Sequence, residues 1–192
     1  MTNFEKAYKK LVRFEGGYVF DKDDKGGETY KGIARNYHST WKGWEVIDAV
    51  KNIFTSDINK TLNENEYLQE LVKEFYKVKF WDVFLCDSLS YQIAEEIFEI
   101  SVNTGIMRAT IILQTALNLL NRNEKFYPDI KIDGKVGPQT LSTLRLCLQK
   151  NSEKLLFNVL NILQGAFYAE LMLDNPVYEK YIGWFSRIEF LK

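Results

Sequence analysis

Apolar residues recur at three- and four-residue steps along most of the chain, the period of helices that bury one face. The first run, Phe4, Ala7, Tyr8, Leu11 and Val12, follows Thr2-x-x-Glu5, which has the spacing of a capping box. The paired glycines Gly16-Gly17 predict its end, since glycine readily closes a helix C-terminus. Asn63-x-x-Glu66 predicts a cap for the run Tyr67, Leu68, Leu71, Val72, Phe75 and Tyr76. Ile93, Ala94, Ile97 and Phe98 mark a helix ending near Gly105, and Ile112, Leu113, Ala116, Leu117 and Leu120 mark the next. Asp133-Gly134 predicts a turn, and Pro138 suits the first position of a helix carrying Leu141, Leu144 and Leu148. Leu155, Leu156, Val159, Leu160 and Leu163 begin a long helix, and Asn175-Pro176 starts the last.

Residues 18–38 break this pattern. Gly26, Gly27 and Gly32 lie there, with a charged run from Asp21 to Lys25 and interspersed Tyr and Thr. Turns and a short hairpin are predicted. No period of 20 to 50 residues recurs, which excludes a solenoid. The expected fold is mainly α, with a small β-hairpin or irregular loop near the N-terminus.

Composition sharpens this. At 192 residues, with 46% hydrophobic side chains, the chain has enough material for one domain, or one with a small appended lobe, without disulfide staples. Lys and Arg total 25 against 26 Asp and Glu, so there is no basic excess to neutralise a nucleic-acid backbone. Cys86 and Cys147 sit among apolar residues without CxxC spacing and are expected to be buried thiols. The N-terminus lacks the apolar core of a signal peptide, and no stretch is expected to reach the length of a membrane span. The expected state is a monomer that binds no nucleic acid and does not insert stably in membranes.

The candidate chemistry begins at Glu15, placed by the pattern at the end of the first helix. The negative end of the helix dipole disfavours a carboxylate, as does partial burial by Phe14 and Tyr18. Both raise the pKa toward what a general acid needs near neutral pH. Asp21, Asp23 and Asp24 follow six to nine residues later, beyond a glycine turn. Gly26-Gly27 permits close approach of backbone to a ligand, and the Thr29 hydroxyl can position a water. A protonated acid, an ionised carboxylate and a held water are what glycosidic hydrolysis requires. Taken alone, the charged run reads as a solvated acidic loop.

Other chemistries lack material. Asp21-x-Asp23-x-Lys25-Gly26 and Asp129-x-Lys131-x-Asp133-Gly134 resemble the start of a calcium loop, but lysine occupies a ligand position in each and no glutamate stands twelfth. No metal site is expected. His38 is the only histidine, so zinc hydrolase chemistry and a Ser-His-Asp triad lack material. Trp41, Trp44, Trp81 and Trp184 can stack on sugars or fill cores. Asn103, before Thr104-Gly105, can reach a cleft or cap its own helix.

Glu15-Gly16-Gly17-Tyr18, then Asp24-Lys25-Gly26-Gly27-Glu28-Thr29 and Gly32-Ile33, resembles the signature of the glycoside hydrolase family 108 muramidases. That group includes phage endolysins and lysozyme-like secretion activators. Phe80-Trp81-Asp82, Val102-Asn103-Thr104-Gly105 and Leu113-Gln114-x-Ala116-Leu117-Asn118 resemble its central helices. Asp133-Gly134-Lys135-Val136-Gly137-Pro138-Gln139-Thr140 resembles its C-terminal peptidoglycan-binding region. The resemblance implies a single lysozyme-like domain, with a catalytic lobe at 1–105 and a helical C-terminal part at 106–192. It implies cleavage, without a cofactor, of the β-1,4 bond between N-acetylmuramic acid and N-acetylglucosamine. It also implies action in the periplasm or cell wall after synthesis in the cytoplasm. Glu15 matches the catalytic glutamate, Asp24 the second carboxylate and Thr29 the water-holding hydroxyl. Asp23 stays open as an alternative, because it stands six residues before Thr29, the spacing of phage-type lysozymes, and Asp24 stands five. Tyr18, Gly27, Tyr30, Trp81 and Asn103 are the expected substrate-binding residues. Water held by Asp24 and Thr29 predicts inversion, which needs carboxyl groups about 6.5 to 9.5 Å apart. The competing reading is an inactive peptidoglycan- or partner-binding module of the same fold.

Overall fold

A computed structural model describes residues 1–12, 16–20, 26–53 and 57–191. They form two compact units, Met1–Lys79 and Phe80–Lys192. The fold is mainly α with one small antiparallel sheet, as the hydrophobic pattern predicts.

The first unit opens with α1 (Asn3–Val12), which buries Phe4, Ala7 and Leu11. Its capping box is reciprocal: Glu5 N donates to Thr2 Oγ1 at 3.2 Å, and Thr2 N donates to Glu5 Oε2 at 2.7 Å. The expected C-terminal end at Glu15 lies outside the described residues. Strands β1 (Tyr18–Phe20), β2 (Glu28–Tyr30) and β3 (Ile33–Ala34) follow in a meander. Tyr18 faces Tyr30 and Phe20 faces Glu28 across the first pair. Lys31 and Gly32 turn β2 into β3 with φ of +44° and +76°. The strain at Lys31 is held by two contacts: its carbonyl accepts from Tyr76 Oη at 2.7 Å, and its ammonium donates to Gln69.

Helices α2 (Gly43–Ile53), α3 (Ile58–Glu64) and α4 (Glu66–Tyr76) complete the unit. Trp44, Ile47, Leu62, Leu68 and Val72 are buried among them, and each fully buried large side chain stabilises the fold by about 1.5 to 3 kcal/mol. The cap of α4 differs from expectation. Asn65, not Asn63, accepts the amide of Leu68, at 2.9 Å. Asn63 lies in the last turn of α3, because a short helix capped by Asp57 precedes α4 and shifts the boundary by two residues.

A single turn of π-helix, Lys77–Trp81, and two 3₁₀ turns lead into the second unit. There α5 (Tyr91–Thr104) ends at Gly105, φ +81°, and α6 (Ile106–Leu120) follows at once. Helix α7 (Pro138–Lys150) starts at its proline, and α8 (Glu153–Asp174) is capped by Ser152. A 3₁₀ segment, Pro176–Arg187, kinks at Tyr181 and closes the chain. Helices α5, α6 and α8 pack on one another around Phe98, Leu113, Leu117, Leu156 and Leu160. Cys86 and Cys147 are buried free thiols.

One expectation needs correction: α8, at 22 residues, is long and apolar enough to cross a membrane. It lies against α5, α6 and α7, and it buries Asn161 and Gln164. Glu96 on α5 is also buried. Burial raises its pKa to about 8, with Glu99, Glu95 and Glu189 adding to the effect and a bond from Asn161 opposing it. Its Oε1 has no hydrogen-bond partner among the described residues.

Candidate functional site

Glu15, Asp23 and Asp24 lie outside the described residues, as does the separation of their carboxyl groups. The described residues show the frame that carries them in sequence. β1 begins three residues after Glu15, and residues 21–25 belong to the connection from β1 to β2.

The frame is built on Glu28. Its Oε1 accepts from Tyr18 Oη at 2.7 Å and from the Lys51 ammonium, and its Oε2 accepts from Arg35. Arg35 also grips Asp48 on α2 with two bonds, 2.7 and 2.6 Å. Burial raises the pKa of Glu28, but the bonds from Lys51, Tyr18 and Arg35 outweigh it and bring the value to about 2. Asp48 is lowered through Arg35, while Lys51 is raised through Glu28. Glu28 is therefore a fixed anion. A carboxylate with three donors around it is not available as a proton donor.

Side chains alternate along a strand, so Thr29 faces away from Glu28 and Tyr30. It pairs with Val19 and Ala34, and its hydroxyl has no hydrogen-bond partner among the described residues. Gly27 has φ +68°, and a Cβ there would come within 3.0 to 3.3 Å of the Asn36 side chain. The close approach that its glycine permits is made by the Asn36 side chain of this chain, and the backbone N–H of Asn36 donates to Gly26 O at 3.1 Å.

Three of the expected substrate-binding residues make contacts within the chain. Tyr30 is fully buried; its hydroxyl donates to Asn63 at 3.3 Å and accepts from Gln69 at 3.0 Å. Trp81 is fully buried in the second unit, its Nε1 donating to Asp87 at 2.9 Å and its ring edge-on to Phe98. Neither offers a ring face to a sugar. Asn103 donates to the carbonyl and the carboxylate of Glu99, both at 2.7 Å, so its amide nitrogen serves its own helix. Glu99 also accepts from Gln164 and Arg187. Tyr18 stays half-buried, its ring near the Lys51 ammonium and its hydroxyl on Glu28.

Sequence reasoning missed Glu28, Arg35, Asp48, Lys51 and Asn59. Glu28 stands inside the quoted motif, but its partners come from β3's end and from α2, at sequence distances that no periodicity marks. Gly17 was a usable signal for Asn59: a Cβ there would overlap the Asn59 side chain.

In the second unit, the motif at residues 133–140 has a structural account. Gln114, buried on α6, accepts from the amides of Asp133 and Gly134, both at 3.0 Å. Its Nε2 donates to Asp133 Oδ1, Lys135 O and Thr140 Oγ1. Asn118 brackets Ile130 in the same way, at 2.9 and 2.8 Å. Among the described residues, no three His, Cys, Asp or Glu side chains converge on a metal site.

The profile of the glycosyl hydrolase 108 family matches residues 8–105, just over half of the chain, and that of a family described as "Predicted Peptidoglycan domain" matches residues 108–189. The chain belongs to the glycosyl hydrolase 108 family, joined to a peptidoglycan-binding-type region. Residues 80–105 belong to the first profile in sequence and to the second compact unit in space. Among solved structures, the chain is similar to SagA of Brucella abortus, with 23% identity and a TM-score of 0.64, over 96% of this chain and 90% of that one. This shows the fold. No curated protein matches the chain.

Proposed function

We propose that the protein is an N-acetylmuramidase that hydrolyses the β-1,4 bond between N-acetylmuramic acid and N-acetylglucosamine in peptidoglycan. The observation that carries this reading is the pairing of a glycosyl hydrolase 108 region with a peptidoglycan region in one chain. Glu15 is the general acid in this reading, and Asp24, with Asp23 as its alternative, is the second carboxylate. Thr29 holds the attacking water. Tyr18 flanks the substrate. The anionic state of Glu28 supports the assignment of the acid role elsewhere. Because peptidoglycan is the substrate, the site of action is the periplasm or the cell wall.

Loss of turbidity of a Gram-negative wall suspension tests this. Wild type should clear it, and Glu15→Gln should lose about 10²- to 10⁴-fold of the rate, the range of a general acid. Retained clearing by Glu15→Gln contradicts the assignment. A wild type that sediments with walls without clearing them instead identifies the inactive binding module.

A further inference from the structure

We propose that Asn59 is a positioning residue for this hydrolysis, acting on the backbone that follows Glu15; the inference rests on the muramidase reading. Asn59 lies near the start of α3 and is half-buried. Its Oδ1 accepts the Tyr18 amide at 2.6 Å, and its Nδ2 donates to the Tyr18 carbonyl at 3.5 Å. A residue's own N–H and C=O leave an extended strand on the same side. One carboxamide therefore takes both groups of Tyr18, as a neighbouring strand would. β1 is an edge strand, bonded to β2 on its other side. Asn59 thus closes the open edge where β1 begins and fixes the register of that first residue.

Gly17 completes the clamp. A Cβ at Gly17 would overlap the Asn59 carboxamide. Gly17 is not among the glycines of positive φ, so alanine there meets no conformational barrier. The glycine is required by the amide that lies against it. The helix bearing Asn59 is itself secured: Asp57 caps it through Lys60 at 3.0 Å, Leu62 is buried, and Asn63 accepts from Tyr30. The peptide joining Gly17 to Tyr18 is thereby referenced to the core of the unit, two residues along the chain from the proposed acid.

Displacing a reacting group by about 1 Å can cost on the order of 100-fold in rate. Asn59→Ala should accordingly lower kcat on peptidoglycan by about 10- to 100-fold, a larger change than any in KM, with wall binding through residues 108–189 retained and Tm lowered by a few degrees for the two lost bonds. Gly17→Ala should reproduce that loss alone, yet add little in the Asn59→Ala background, because the obstructing amide is gone. Exchange of the Tyr18 amide proton should speed up in both single variants. An active wild type with unchanged kcat in Asn59→Ala overturns the inference and leaves the muramidase reading standing. Fully additive losses in the double variant overturn the clamp as well. A wild type that cleaves no wall overturns the muramidase reading, and the catalytic use of the clamp falls with it.

Discussion

In the loop at residues 129–140, polar backbone meets mainly neutral amides from one helix: Gln114 and Asn118, both on α6, bond Ile130, Asp133, Gly134, Lys135 and Thr140. In the N-terminal sheet, charge meets charge from several elements. Glu28 on β2 gathers Tyr18 from β1, Arg35 after β3 and Lys51 from α2. Both segments are marked in sequence by glycines and acidic residues, and both resemble family motifs. In the first, Asp129, Asp133 and Gly134 each have a structural role. The charged frame fixes the strands while the acidic candidates stand in the adjoining chain, so a motif's legibility does not locate its chemistry.

The contrast can be broken at Gln114 first. Gln114→Ala orphans the buried amide of Gly134, frees that of Asp133 and removes the Nε2 contacts to Asp133, Lys135 and Thr140, and should destabilise the second unit by about 3 kcal/mol in denaturant unfolding. A loss below about 1 kcal/mol would mean that water replaces the amide, and the loop is not held as described.

Glu28→Gln is expected to cost about 1 to 2 kcal/mol, less than the pKa displacement alone implies, because Arg35 and Lys51 are each about one-third exposed. The folded pKa of about 2 lies below the ordinary 4.5, so this contribution is present above pH 4.5 and is lost as pH falls through 2. Acid titration of Tm should therefore be shallower in the variant between those values.

Glu96 has the opposite environment and sharpens the comparison. Its folded pKa of about 8 lies above 4.5, so its contribution is present below pH 4.5 and is lost as pH rises through 8. The slope is at most about 1.4 kcal/mol per pH unit. Glu96→Gln should gain stability over wild type at pH 8 and show little gain at pH 5. Equal stability differences at both pH values would place the carboxyl in contact with water. Tyr18→Phe is expected to have the smallest effect, about 0.5 to 1 kcal/mol, from loss of one bond to Glu28.

Much of this was legible in the sequence, for local reasons. The capping box at Thr2, the helix start at Pro138 and the close of α5 at Gly105 are each set within four residues. The Asn63 cap was misplaced because two capping asparagines stand two residues apart and only the short helix before them selects Asn65. Tyr30 and Trp81 read as ligands because aromatic type does not reveal depth, which depends on neighbours distant in sequence. The cage of Glu28 was invisible for the same reason: Arg35 and Asp48 meet only after β3 and α2 have packed. Of the proposed catalytic set, Thr29 alone is described, and Glu15 and Asp24 rest on their motif.

The central claim is the bond that is cut. Peptidoglycan digested by the protein, reduced with borohydride and analysed by mass spectrometry, reports the sugar at each new reducing end. The account predicts reduced N-acetylmuramic acid there, absent from a Glu15→Gln digest. Reduced N-acetylglucosamine, an anhydro-sugar end or intact glycan strands after incubation with wild type would contradict it.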